Sequence, residues 1–197
     1  MSDRETLSVY AEKAGEYAEM TDDENTADPA LVDFIDAMPE GGHVLDLGCG
    51  PGASAAQMAK AGLKVEAYDP VAQMVALANR HEGVNAQEAS FEDINGIAVY
   101  DGIWANFSLL HAAREDLPRY LSHIAEALKS GGVFHIAVKT GTGSHRDGLG
   151  RLYTYYTDQE LTGLLEEAGL TVTNRREGEG KGLAGDVSPW IALTACA

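Results

Sequence analysis

The chain has little cysteine, little positive charge, no long apolar run and no low-complexity tract. Only Cys49 and Cys196 occur in 197 residues, so there is no disulfide framework, and a reducing cytoplasm is the expected compartment. Fourteen Lys and Arg stand against 31 Asp and Glu, a formal net charge of −17. A surface that acidic repels phosphate backbones, which argues against nucleic acid as a partner. No stretch approaches the ~18–20 consecutive apolar residues of a membrane-spanning helix. Met1-Ser2-Asp3-Arg4-Glu5 has neither the basic start nor the apolar run of a secretory leader, so no membrane partner is expected. His, Cys, Asp and Glu nowhere fall at metal-ligand spacing, so no metal is expected. No serine stands in a nucleophile elbow. The 45% hydrophobic content is enough for a folded core, and the length suits one ordinary domain. A small molecule is the expected partner.

Leu7 to Met20 carries Tyr10, Ala14 and Tyr17 at helical spacing among glutamates, and the polar run Thr21 to Thr26 follows. Residues 1–27 are therefore expected to form an N-terminal helical lid, flexibly joined to a body of residues 28–197. Asp28 predicts a helix N-cap with Pro29 in the first turn, where its missing N–H costs nothing. Leu31, Phe34, Ile35 and Met38 recur at i, i+3, i+4 and i+7, one buried stripe.

From His43 strands and helices alternate. Strands are predicted at 43–47, 63–68, 84–89, 102–105 and 133–138, and helices at 53–60, 71–80 and 117–129. Ser130-Gly131-Gly132 should break the last of these helices. Thr157-Asp158-Gln159-Glu160 predicts a capping box that opens a helix through Leu161, Leu164, Leu165 and Ala168. Strands at 170–175 and 190–194, joined by the glycine-rich 177–185, complete the chain. Successive βαβ units imply an α/β fold: a doubly wound, Rossmann-like three-layer sandwich on a mostly parallel seven-stranded sheet. The last two strands have no helix between them, so one antiparallel strand is expected in the edge region.

The most informative segment is Val44-Leu45-Asp46-Leu47-Gly48-Cys49-Gly50-Pro51-Gly52, between a strand and a helix. Glycines there let the main chain turn tightly and approach a ligand that a Cβ would hold off. Asp69 ends the second strand, where a carboxylate can accept both hydroxyls of a ribose. Gly48-x-Gly50-x-x-Ala53 also fits a dinucleotide fingerprint, with Asp69 on the ribose of NAD, so an NAD(P)-dependent reductase is the alternative. Against it, Asp46 sets a negative charge beside the place a pyrophosphate would occupy. That carboxylate suits an ammonium or sulfonium ligand, and the residues after strand two continue one sheet with no separate substrate domain.

In order, V-L-D-L-G-C-G-P-G, V-E-A-Y-D-P-V-A-Q-M, Y-D-G-I-W-A-N-F-S-L-L-H and L-K-S-G-G-V-F-H-I-A-V resemble a class I S-adenosylmethionine-dependent methyltransferase of the small-molecule type. The resemblance implies S-adenosylmethionine as cofactor and S-adenosylhomocysteine as product. Gly48, Cys49 and Gly50 would then cradle the methionine part above Asp46, and Asp69 would hold the ribose. Pro70 and Met74 would pack near the adenine and ribose, with Ser90 and Phe91 at the adenine edge. Many members carry Asp where Ser90 stands; a hydroxyl can accept the same bond. Asn106 and Phe107 would lie beside the sulfonium, and Tyr10 and Tyr17 on a helix closing over the cofactor. A non-catalytic S-adenosylmethionine-binding protein would show the same residues.

Methyl transfer from a sulfonium needs mainly in-line alignment of the acceptor, which can supply ~7–11 kcal/mol of barrier reduction. A base is needed only when the acceptor arrives protonated. The acceptor pocket is expected after strands four and five and under the N-terminal helix. Catalytic candidates are His111, Arg151 and Tyr153, set against plainer readings as a helix cap, an ion-pair partner and a wall. His135 is expected to be a satisfied core residue. The glycine-rich segment 141–151 is expected to be a mobile loop. In it and beside it, Lys139, Arg146 and Arg151 would give positive charge for a carboxylate-bearing or otherwise anionic acceptor.

Overall fold

Burial on both faces selects the central strands. Val44, Leu45 and Leu47, Ile103 to Ala105, and Phe134 to Val138 are all shielded from solvent, as strands with helices on both sides require. The computed structural model describes residues 3–25 and 28–197, and only the backbone of 22–25.

Two helices, α1 (Arg4–Glu12) and α2 (Ala14–Asn25), precede α3 (Pro29–Asp36). Then come β1 (His43–Leu47), α4 (Ala53–Lys60), β2 (Lys64–Asp69), α5 (Ala72–Ala78), β3 (Val84–Glu88) and β4 (Tyr100–Asn106). The second half runs α6 (Leu117–Ala127), β5 (Leu128–Lys139), β6 (Ser144–Arg146), β7 (Leu152–Thr154), α7 (Asp158–Glu167), β8 (Thr171–Lys181) and β9 (Val187–Cys196). The main sheet has the order β3-β2-β1-β4-β5-β9-β8, and β6 and β7 form a separate ribbon. Neighbours from β3 to β5 run parallel, whereas β9 is antiparallel to both β5 and β8. The expected sandwich with one antiparallel strand is what folds. The strand order reverses between β1 and β4, which places a crevice at their carboxyl ends.

On one face α3 follows its local signals. The Asp28 carboxylate accepts from the Ala30 N–H at 2.8 Å, and Leu31 and Phe34 are buried while Ile35 and Met38 are partly covered. At Gly102 a Cβ would stand 2.6 Å from both Met38 Sδ and Phe34 Cζ, so only glycine lets α3 settle on β4. On the other face α6 packs Leu117, Tyr120, Leu121, Ile124 and Ala127 inward.

Several expectations change. The N-terminal segment is two helices rather than one, and α1 is fastened to the body. Asp3 caps α1 by accepting from the Thr6 N–H at 2.9 Å, and takes both terminal nitrogens of Arg146 at 2.9 Å. The buried Thr6 hydroxyl accepts from the Leu152 N–H at 2.8 Å. The expected joint at Thr26–Ala27 lies outside the described residues. The segment 141–151 is no loose loop, because β6 and β7 pair within and just beyond it. Asp147 organises their turn by accepting from the Leu149 and Arg151 N–H groups, each at 3.0 Å. Ser130-Gly131-Gly132 falls inside β5, where the register against β4 shifts between Tyr100 and Gly102. The glycine-rich 177–185 is mostly strand, and only 182–186 turns between β8 and β9. Half of the capping box forms: Thr157 accepts from the Glu160 N–H at 3.2 Å, while the Glu160 carboxylate turns instead to Arg114.

The cap and clasp at Asp3 should govern how tightly α1 is held. Replacing Asp3 with Ala removes a cap worth ~1 kcal/mol, so amides from Thr6 to Glu12 should exchange at least about five-fold faster. Hydrogen–deuterium exchange checks this, with the amides of β1 and β4 as the unchanged reference.

Candidate active site

The strand-to-loop transition after β1 forms the floor. Gly48 and Cys49 both donate to the Tyr68 carbonyl, at 2.7 and 2.9 Å. Gly48 has φ +77°, and a Cβ there would lie 2.3 Å from Ser108 Cβ. Both the left-handed backbone and the contact with the end of β4 demand glycine. Asp69 ties the two loops together, accepting from the Gly50 and Val71 N–H groups at 2.9 Å each.

Asp46 lies beneath this elbow, 3% exposed. It accepts a backbone bond from Ala55, yet its Oδ2 has no partner among the described residues. Burial, then the nearby Asp69 carboxylate, push the Asp46 carboxyl up to about 7. Burial raises Asp69 to about 6 against its two backbone donors. A pair of buried acids like this favours a cationic neighbour and disfavours an anionic one.

Above the floor is a cavity of about 590 Å³, within the range of small-molecule sites. Asp46, Gly48, Cys49 and Gly50 line one side, Tyr10 and Tyr17 roof it, and Asn106, Phe107, Arg151 and Tyr153 line the far side. The remaining expected residues stand outside this lining. Asp69 and Pro70 form the turn into α5, and Met74 is buried beside Ala14, with Tyr10 and Tyr17 packed on that cluster. Ser90 accepts from the Glu92 N–H at 3.2 Å and donates to Asp93 at 2.8 Å, a local cap. Phe91 is in the core, its ring 5.6 Å from Tyr120. His111 lies behind the wall and reaches the cavity through Tyr10.

Tyr10 Oη is 2.9 Å from His111 Nε2, and Arg151 Nη1 donates to the same oxygen at 2.9 Å. Arg151 is 1% exposed and pairs with Asp147 through Nε at 2.9 Å and Nη2 at 2.6 Å. Lys139 Nζ sits 4.1 Å from the centroid of the Tyr153 ring. Arg146 belongs elsewhere: it clasps Asp3 and Glu5 on α1, so it adds no charge to the cavity.

Three features of the wall escape sequence reasoning. His135 is buried as expected but not satisfied: its Nδ1 has no partner among the described residues, and its ring stacks on Trp104 at 3.7 Å. Alternation along β5, which puts His135, Ala137 and Lys139 on one face, was the available signal. Phe107 has φ +53°, a conformation costing ~1–3 kcal/mol for such a residue, and meets Trp190 edge-on at 6.2 Å. Arg176 and Trp190 arrive from the β8–β9 hairpin, and nothing local marked them. Among the described residues no group of three or more His, Cys, Asp or Glu side chains is placed to hold a metal ion. Nor is any described helix long and apolar enough to cross a membrane.

Comparison with known proteins agrees with this architecture. Residues 22–174 match the family profile described as a methyltransferase domain, and the chain belongs to this methyltransferase-domain family. It is 29% identical over 114 residues to a dimethylglycine N-methyltransferase of Parasynechococcus marenigrum (strain WH8102), covering 53% of this chain and 40% of that one. It is 31% identical over 132 residues to a cypemycin N-terminal methyltransferase of a Streptomyces species, covering 64% and 54%. The chain spans about half the length of these curated relatives. Among solved structures it is similar to the Burkholderia thailandensis 1,6-didemethyltoxoflavin-N1-methyltransferase, crystallised with 1,6-didemethyltoxoflavin and S-adenosylhomocysteine. That likeness has a TM-score of 0.79 at 26% identity, covering 96% of this chain and 86% of that one.

The elbow sets a sharp test. Gly48→Ala forces a left-handed alanine, costing ~1–2 kcal/mol, and a clash with Ser108 on top of it. Thermal unfolding should show a midpoint several degrees lower than that of the parent chain.

Proposed function

We propose that the chain transfers the methyl group of S-adenosylmethionine to a small-molecule acceptor and releases S-adenosylhomocysteine. The observation that carries this reading is the buried Asp46 Oδ2, left without a partner beneath a glycine elbow. The residues present fit the cofactor. Asp46 would face its ammonium group, the Gly48–Gly52 main chain would cradle the amino-acid tail, and Asp69 would hold the ribose hydroxyls. The family resemblance alone assigns Pro70 and Met74 to the ribose and adenine, and Ser90 and Phe91 to the adenine edge, since none of the four lines the cavity. Bound there, the cofactor supplies an electrophilic methyl on a sulfonium.

The chain's own task is then positioning and exclusion of water. Helices α1 and α2 act as a lid, supported by Tyr10, Tyr17, Met20 and Thr21 on the cavity roof. Asn106 and Phe107 border the reacting centre. Aromatic walls from Phe107, Tyr153 and Trp190 suit a compact acceptor held by faces rather than by an extended groove. An anionic acceptor is supported by two cations of the cavity lining, Lys139, whose ammonium lies over the Tyr153 ring, and Arg151. The names of the dimethylglycine and didemethyltoxoflavin relatives point the same way, toward small acceptors. The acidic surface argues against nucleic acid, and the two unpaired cysteines fit a reducing cytoplasm.

Calorimetric titration tests the cofactor directly: S-adenosylmethionine and S-adenosylhomocysteine should bind, and NADH should not. Tighter binding of NADH would overturn the reading in favour of a reductase. The protonation of Asp46 gives a further expectation. Its carboxyl is pushed up to about 7, and an ammonium beside it favours the ionised form, so binding expels a proton. Affinity for S-adenosylhomocysteine should rise as pH increases from about 5.5 to about 8 and then level off. Titration in two buffers of different ionisation enthalpy should show proton release near neutral pH, lost in Asp46→Asn.

A further inference from the structure

We propose that Tyr10 and His111 form a directional proton wire, so that the site accepts molecules that lose a proton on methylation: secondary amines, N–H heterocycles or phenols. The inference rests on the methyl-transfer reading above and deepens it.

The direction follows from the hydrogen bonds. His111 Nδ1 lies 2.7 Å from the Leu152 carbonyl. A carbonyl only accepts, so Nδ1 carries the proton. In the neutral ring Nε2 is then a bare lone pair, and the Tyr10 hydroxyl 2.9 Å away must donate to it. Tyr10 Oη in turn accepts from Arg151 Nη1, and Tyr10 lines the cavity. The Tyr10 hydroxyl proton therefore points toward His111, and the Tyr10 oxygen keeps a lone pair for a donor from the cavity. Burial holds the imidazole conjugate acid down at about 4, opposed by the Leu152 bond and Asp147 and reinforced by Arg151 and Lys139. The ring is neutral when an acceptor arrives.

The protons and electrons balance. As the acceptor–carbon bond forms and the carbon–sulfur bond breaks, the bonding pair stays on sulfur. The acceptor's proton moves to Tyr10 Oη, and the Tyr10 proton to His111 Nε2. A strong base is unnecessary, because an acceptor nitrogen gaining a fourth bond becomes acidic as it does so. After product leaves, the readily deprotonated imidazolium returns its proton through the Tyr10 hydroxyl to water. Arg151 favours negative charge on the Tyr10 oxygen during the passage, and Asp147 holds Arg151 in place.

The test uses the full chain with ring-¹⁵N-labelled histidine. NMR near pH 7 should show His111 as the Nδ1–H tautomer, with its Nε2 resonance shifted in Tyr10→Phe. An Nε2–H tautomer, or a resonance indifferent to Tyr10→Phe, overturns the wire without any acceptor being known. A second arm offers S-adenosylmethionine with sarcosine, lumazine and 4-nitrophenol against pyridine and dimethyl sulfide. Methylation should favour the first group at least ten-fold, and His111→Asn should lower kcat for it at least ~100-fold with KM changed less than about three-fold. Preference for the proton-free group, or an unchanged kcat in His111→Asn, refutes the proposal. S-adenosylhomocysteine titration of each protein keeps the two ideas apart: a parent chain that does not bind it fails as a methyltransferase, whereas binding with the wrong tautomer sinks the wire alone.

Discussion

A carboxylate held in the interior with one oxygen unsatisfied is expensive, and the architecture around Asp46 is arranged to keep it there. Its strand is shielded by helices on both faces, and Asp69 stands near enough to oppose its ionisation. Such an arrangement persists when a ligand of opposite charge repays the desolvation. The neighbouring features follow from that requirement. The elbow at Gly48 has to be bare so that the chain can turn left-handed against Ser108. Asp69 spends two bonds on holding the Gly50 and Val71 amides. The reversal of strand order between β1 and β4 opens the space above. The sheet is thus a frame for two acids, and the helices keep water from discharging them.

The N-terminal helices form the other half of the site. On composition alone they belong to solvent, since α2 is polar along most of its length. What holds α1 is a set of contacts with residues more than a hundred positions away: Asp3 to Arg146, Thr6 to Leu152, Tyr10 to His111 and Arg151. Arg151 is central to this set. A guanidinium buried to 1% exposure is tolerable only because Asp147 takes two of its nitrogens and Tyr10 a third. Removing either kind of partner would leave a charge stranded in a low-dielectric wall. The ribbon of β6 and β7 exists to present that group.

How much of this was legible in the sequence depends on range. The βαβ alternation, the cap at Asp28 and the glycine elbow are local signals, and each stands where periodicity and turn chemistry put it. Boundaries slipped where the sheet overrode local preference: Ser130-Gly131-Gly132 has the composition of a stop, yet pairing with β4 and β9 draws β5 through it. The glycines of 177–180 likewise extend β8 because β9 supplies a partner. The acceptor wall was hardest to read. Tyr10, His111 and Arg151 meet across separations of 101 and 141 residues, and no window of sequence contains that geometry. Arg146 shows the converse error. It has the charge expected of an acceptor ligand, but its clasp on Asp3 turns it outward.

On the function and wire proposed above, placing Tyr10 on α1, rather than on the sheet, would make entry and reaction mutually exclusive. A displacement of that helix wide enough to admit a guest would withdraw the phenol from the imidazole behind it. A molecule that slipped in while the door stood ajar would find an incomplete apparatus, and stray water would be spared an activated methyl. Fidelity would then come from timing as much as from fit, since the last component of the machinery would travel on the door itself.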